Sequence, residues 1–162
     1  MKDAEDIFNN YAHDPDVTRY LMWRPHKNLD AAKEWLKSNI GSWDMDKSLA
    51  FSIWHRKTGQ VIGMIGISID GFTATFGYVL AKPYWNRGIM TEACRPLIKE
   101  ILGRKEIWRV QAFHDIDNPA SGKVMEKLGM KYEGTLEKYN IHPNISDIPR
   151  DCKMYSIVKD KK

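Results

Sequence analysis

With 162 residues, 28% of them charged and 43% apolar, the chain can bury a core without disulfide or metal staples, and one domain over residues 1–162 is expected. No apolar run reaches the roughly 20 residues a membrane span needs, and the acidic start Met1-Lys2-Asp3-Ala4-Glu5-Asp6 is unlike a secretory leader, so cytoplasmic residence is expected. The net charge of +4 suits an anionic ligand, but part of the excess is Lys159, Lys161 and Lys162, read as a solvated tail, and no interleaved basic and aromatic motif points to nucleic acid.

In chain order, Ala4, Ile7, Phe8, Tyr11 and Ala12 recur at spacings of three and four, which predicts a helix over 4–12 with one buried stripe. Asn28 can cap a second helix whose apolar face is Ala32, Trp35, Leu36 and Ile40, and Gly41 ends it. Two β runs, 49–55 and 61–69, flank Lys57-Thr58-Gly59-Gln60, where glycine permits a hairpin turn. Asp70-Gly71 turns the chain again, and 73–80 completes an antiparallel meander. Beyond Gly88 a helix is expected, with Met90, Cys94, Leu97, Ile98 and Ile101 on one face and a bend near 92–96, because Pro96 removes a backbone hydrogen bond. A strand over 107–114 leads to Asn118-Pro119, a capped helix start, and Gly129 closes that helix. Strands around 131–139 and 153–158, joined by a loop holding Pro143 and Pro149, finish the chain.

The junction of strand, glycine turn and helix at Phe76 to Ala93 carries the strongest site signal. Successive N–H groups at a helix start, with a glycine allowing close approach, can hold a phosphate without side-chain help. A single glycine between strand and helix also serves simply to turn the chain, and the spacing alone leaves both readings open. Ser121, at i, i+4 and i+7 with Met125 and Leu128, faces inward, although a serine so close to a cap often satisfies only local backbone. His114 ends a strand, where a histidine is more often a surface residue than a base. Tyr20, Met22, Trp23 and Trp85 can line a pocket or simply pack. Cys94 and Cys152 have no metal or redox spacing, so free buried thiols and no metal site are expected.

Several segments then fall in a familiar order. They are Ala4-Glu5-Asp6-Ile7-Phe8 with Asp16-Val17-Thr18-Arg19-Tyr20-Leu21, then Tyr84-Trp85-Asn86-Arg87-Gly88-Ile89-Met90-Thr91-Glu92-Ala93. After them come Asn118-Pro119-Ala120-Ser121, Glu126-Lys127-Leu128-Gly129-Met130 with Glu133-Gly134, and Arg150-Asp151 with Tyr155. Over nearly the whole chain they resemble the GNAT superfamily of acetyl-coenzyme A-dependent N-acetyltransferases, in the branch around the ribosomal-protein N-terminal acetyltransferases.

The resemblance implies an α/β GNAT fold, a mixed and mostly antiparallel sheet flanked by helices and splayed centrally to hold coenzyme A. Acetyl-CoA would be the cosubstrate of a direct acetyl transfer to a primary amine, a protein N-terminus or a small amine. The backbone of Val79 and Leu80 would pair with the pantetheine arm, and the loop of Asn86, Arg87, Gly88, Ile89, Met90 and Thr91 would bind the cofactor. Asn118 and Ser121 would face the thiol end, and the acceptor would enter past Tyr20 and Trp23. Where relatives outside the branch carry a tyrosine acid this chain has Met125, which leaves Ser121 to protonate the thiolate. Where many carry a strand carboxylate it has Gln111, so the proton acceptor is sought in a water chain ending at Glu133, Tyr139 or His114. The family also begins with a strand before the first helix, whereas here that helix starts at about residue 3: either the sheet has lost its first strand or a short segment is missing from this chain, and the exposed edge suits a homodimer. A non-catalytic acyl-CoA sensor, with the cleft kept and the acid–base groups lost, is the alternative.

Overall fold

The N-terminal apolar stripe forms α1 (Lys2–Ile7) and continues through a π-helical turn (Phe8–Ala12) in the computed structural model, which describes residues 2–41 and 47–160. Ile7, Tyr11 and Ala12 are fully buried, as their spacing predicts. A short α2 (Pro15–Thr18) follows, which the periodicity did not predict. Its signal is Asp14-Pro15: the Asp14 carboxylate accepts from Asp16 N at 2.8 Å, and proline fits the first helical position. Asn28 caps α3 (Leu29–Gly41) by accepting from Ala31 N at 2.9 Å.

Six strands build the sheet: β1 (Ser48–His55), β2 (Gln60–Asp70), β3 (Thr73–Leu80), β4 (Arg109–Asp115), β5 (Lys131–Asn140) and β6 (Arg150–Val158). Their spatial order is β1-β2-β3-β4-β6-β5, so β1 and β5 are the edges. Every neighbouring pair is antiparallel except β3 and β4. Between those two runs α4 (Ile89–Gly103), the crossover that a parallel pair requires. It continues as one helix through Pro96, whose side is exposed. The last helix, α5 (Pro119–Lys127), starts from Asn118 and is closed by Gly129 at φ +83°.

Helices cover both faces. Met90, Cys94, Ile98 and Ile101 of α4 and Met125 of α5 pack on Ala74, Phe76, Val110 and Ala112. On the opposite face Ile7, Tyr11, Ala12 and Val17 pack on Val61, Val79 and Ala81. Strand alternation therefore sends even residues of β3 and β4 towards α4 and α5, and odd residues towards α1 and α3. No helix among the described residues is long and apolar enough to cross a membrane.

Two surface expectations change. Lys159 is anchored, donating to Arg104 O at 2.7 Å and lying 5.6 Å from the Trp108 ring; Lys161 and Lys162 lie outside the described residues. His114 is buried, because its even position on β4 turns it under α5, where a Cβ on Gly122 would sit 2.7 Å from its Nε2.

His114 Nδ1 lies 2.7 Å from Asp115 O, to which it can only donate, while Nε2 has no protein partner. Burial lowers the pKa of this imidazole below its ordinary value of 6.5. The unfolded chain thus takes the proton more readily than the folded one. Stability from neutral His114 is present above pH 6.5 and lost as pH falls through the lowered folded value. His26, also lowered by burial, adds to the same acid limb. Urea denaturation at about pH 7.5 and about pH 5.5 is expected to show lower stability in acid. In His114→Gln, which cannot titrate, the difference between the two conditions should shrink.

Candidate active site

The sheet is continuous except between β3 and β4. These strands pair only at Thr73 with Arg109, Ala74 with Val110 and Thr75 with Gln111, and then diverge. The split thus opens between the strand that carries Val79 and the strand before Asn118, a central splay as the resemblance implies. Ala81 N donates to Ile62 O at 2.8 Å, so alternation along this antiparallel ladder gives the backbone of Val79 to Met64 of β2. The groups that face the gap are those of Tyr78 and Leu80. The expectation for Val79 is corrected, since its N–H and C=O already have partners within the sheet; that for Leu80 keeps its N–H, while its carbonyl accepts from Trp85 Nε1.

At the apex of the split, Gln111 donates to Thr75 Oγ1 at 3.0 Å and accepts from Arg109 Nε at 2.8 Å. Arg109 also grips both oxygens of Glu133, and Ser156 Oγ donates to that carboxylate at 2.7 Å. The Arg109 guanidinium first, and the Ser156 hydroxyl second, hold the Glu133 carboxyl down at about 2. Glu133 is therefore corrected as a proton acceptor: its lone pairs are engaged by a permanent cation, and it stays ionised without taking a proton near neutral pH.

At the mouth of the split, the 3-10 turn Lys82–Tyr84 leads into Trp85, whose Nε1 donates back to Leu80 O at 2.6 Å. Asn86 at φ 59° and Gly88 at φ 76° both take the left-handed conformation that asparagine and glycine tolerate best. The turn ends at an α4 N-terminus with no side-chain cap, and the first helical bond there runs from Glu92 N to Gly88 O. The amides of Ile89, Met90 and Thr91 thus lie ahead of the hydrogen-bonded ladder, at the positive end of the helix dipole. The Met90 side chain is buried in the core, so its backbone alone is on offer. An open cavity of about 460 Å³ beside them is lined by Gly88, Thr91, Glu92, Arg95, Pro96 and Lys127. Backbone donors, a glycine with open space at its Cα and nearby cations fit a pyrophosphate.

Across the gap stands α5. Asn118 acts as its cap, the Oδ1 accepting from Ser121 N at 3.4 Å. Ser121 Oγ lies 2.8 Å from the hydroxyl of Tyr78, which reaches over from β3. Sequence reading missed Tyr78. Its only signal was parity with Phe76 and Leu80, which gave it a place towards the helices but not this partner.

On the other face, Phe113 carries Tyr139 edge-on, ring centroids 5.0 Å apart. Tyr20 donates to Asp117 O at 2.9 Å and its carbonyl accepts from His142 Nδ1 at 2.9 Å, while Asn144 donates to Thr18 O at 2.7 Å and Trp23 O at 2.8 Å. The Trp23 ring packs on His26 and Trp35. Tyr20 and Trp23 are thus structural members of a wall made with the loop between β5 and β6. Beneath it, burial opposes ionisation of Asp115, but hydrogen bonds from Arg150 at 2.5 and 3.0 Å and from Asp117 N outweigh it and hold the carboxyl below its usual range. Among the described residues no group of three or more His, Cys, Asp and Glu could hold a metal ion.

A split sheet with a bare helix N-terminus at its mouth is the architecture of an acyl-coenzyme A-dependent transferase. The acetyltransferase (GNAT) domain family matches residues 1–131, and the chain belongs to that family. An uncharacterised N-acetyltransferase of Bacillus subtilis, YoaA, is 26% identical over 99% of this chain and 90% of its own length. Among solved structures, the microcin self-immunity acetyltransferase MccE, in complex with acetyl-CoA and AMP, superposes with a TM-score of 0.86 at 23% identity, covering 96% of this chain and 87% of that one. RimL, a ribosomal-protein α-N-acetyltransferase in complex with coenzyme A, gives 0.83 at 18% identity over 96% and 88%.

Gly63 lets the end of β3 lie close against β2. A Cβ there would lie 2.5 Å from Val79 O and 3.1 Å from Leu80 Cδ1, and the backbone oxygen can yield only if the end of β3 shifts. Gly63→Ala is expected to lower stability by about 2 kcal/mol. Gly66→Ala on the same strand, whose Cβ meets nothing, should stay within about 1 kcal/mol of the parent. Equilibrium urea denaturation of both variants measures the contrast.

Proposed function

We propose that the protein is an acetyl-CoA-dependent N-acetyltransferase that passes the acetyl group directly to a primary amine, on a protein N-terminus or a small molecule. The observation that carries this reading is the gap between β3 and β4, with the Tyr78 backbone and the Leu80 N–H turned into it, an uncapped helix N-terminus at its mouth and a serine hydroxyl on the facing helix. The coenzyme supplies a thioester whose carbonyl carbon a neutral amine attacks and whose sulfur then departs.

In this reading the backbone of Tyr78 and Leu80 binds the pantetheine arm as an added strand would. Asn86 and Arg87 shape the turn, and the amides of Gly88, Ile89, Met90 and Thr91 hold the pyrophosphate. Asn118 fixes the start of α5, and Ser121 gives its hydroxyl proton to the departing sulfur and is reprotonated from solvent, which takes up the proton shed by the amine. Gln111, tied to Thr75 and Arg109, orients groups at the apex but takes no proton. With Glu133 locked, the proton shed by the amine leaves on the open face beside Tyr139, where solvent reaches. Holding amine and thioester together in a walled site supplies the larger part of the rate, since proximity and orientation are worth about 7–11 kcal/mol in favourable cases.

An amine panel tests the reading. Free coenzyme A release is followed with acetyl-CoA and peptides bearing different N-terminal residues, diamines, polyamines and amino acids. Turnover with one class is expected. Calorimetric binding of acetyl-CoA without turnover on any amine would favour a sensor instead. With the best acceptor, Ser121→Ala should lower kcat about a hundredfold with little change in KM for acetyl-CoA. An unchanged kcat removes the acid role from Ser121. Tyr139→Phe is expected to lower kcat most at acid pH, where less of the amine is neutral, and an unaltered pH profile removes Tyr139 from the proton route.

A further inference from the structure

Tyr78 has no counterpart in the expectations drawn from the sequence, yet it makes a direct link across the split. It stands beyond Thr75, where β3 has already left β4, and its hydroxyl meets Ser121 of α5 twice: 2.9 Å to the carbonyl oxygen and 2.8 Å to Oγ. We propose that Tyr78 is the positioning residue for Ser121, holding the serine hydroxyl in the gap and exchanging one hydrogen bond for another when that hydroxyl turns to the sulfur. This rests on the role given to Ser121 above.

The argument is a count of protons. The phenol has a single O–H and faces two oxygens, one of which, the carbonyl, can only accept. When the phenol donates to Ser121 O, the one bond left between the two hydroxyls runs from Ser121 Oγ–H to the Tyr78 oxygen. When the serine proton turns towards a thiolate, Oγ becomes free to accept, and the phenol proton swings from the carbonyl to Oγ. No covalent bond breaks in this exchange and no proton leaves Tyr78. The serine oxygen keeps a hydrogen-bonded partner in both states, so its proton can be turned to sulfur without stranding a half-buried polar group.

Tyr78 is suited to hold rather than to donate its proton away. Burial pushes its pKa well above the ordinary tyrosine value, and Ser121 offsets that only in part. The neighbouring Cys94 thiol is likewise pushed up by burial, to about 12, so it remains protonated at neutral pH and brings no charge to the pair. The ring is fixed as well, packed against Phe76 with centroids 5.8 Å apart.

The test reads the thiol of bound coenzyme A itself and needs no acceptor. Coenzyme A is bound at saturation, and thiolate absorbance is followed against pH by difference from the unliganded protein; Cys94 and Cys152, raised to about 12 and about 11, titrate at the alkaline end. Ser121→Ala is expected to raise the bound thiol pKa by about one unit, a tenfold loss of thiolate. Tyr78→Phe should raise it in the same direction, and Tyr78→Phe in the Ser121→Ala background should add nothing. Tyr78→Met serves the same comparison if the phenylalanine variant does not fold. A Tyr78 shift that persists undiminished without the serine hydroxyl, or no Tyr78 shift where Ser121→Ala gives one, overturns the positioning role while leaving Ser121 in place. No shift in Ser121→Ala overturns the serine assignment, and the positioning role falls with it.

Discussion

Three residue pairs hold β3 and β4 together, and the rest of the molecule is organised by the fact that the fourth pair does not form. An unpaired strand edge is ordinarily found at the rim of a sheet, where water satisfies its N–H and C=O groups. Here it lies in the middle, flanked by β2 on one side and β6 on the other. The gap leaves the Tyr78 backbone and the Leu80 N–H without a strand beside them, an edge that suits an extended, amide-bearing guest. Both arms of the split are fixed by other contacts. On one side the β2 ladder grips β3 and the small Gly63 lets it approach; on the other, α5 grows from the end of β4 under the Asn118 cap.

Charge is arranged around this gap in two locked groups. At the apex Arg109 clamps Glu133, with Gln111, Thr75 and Ser156 completing the network. Towards the opposite end Arg150 bridges Asp115 and Asp117, and His142 in the same cluster reaches Tyr20 O, tying the β5–β6 loop to the segment after α2. In each group an arginine engages the carboxylates through charge-assisted hydrogen bonds, which hold them as acceptors and not as proton carriers. Outside both networks stand hydroxyl groups: those of Ser121 and Tyr78 between β3 and α5, and that of Tyr139 on the open face. In the proposed function, a cleft that handles an amine and a thiol with hydroxyl groups alone would rely on positioning more than on acid–base strength.

Much of the frame was legible in the chain. The strand over 73–80 ends where its β-branched and aromatic run ends, and Asn28 and Asn118 cap the helices they precede because their carboxamide oxygens reach the first free amides. The glycine turn at Gly88 was readable for the same reason, since only a residue free of a Cβ adopts that φ without strain. Less legible were α2, where Asp14-Pro15 is a short signal, and His114, whose burial follows from α5 lying over β4 and not from any local pattern. The roles of Glu133, Val79 and Tyr78 were beyond reach of spacing alone. Each depends on a partner far along the chain: Arg109 for Glu133, Met64 for Val79 and Ser121 for Tyr78.

That division has a physical cause. Periodicity, caps and turn residues act within a few positions of one another, so the sequence by itself determined most of the elements and their order, and its resemblance to the GNAT superfamily supplied the family and the place where the sheet would open. Which carboxylate is disarmed by a guanidinium, which backbone amide already has a partner and which phenol meets a serine are set by register and by strand twist across the split. Those are properties of the assembled sheet, and only the tertiary structure decided them.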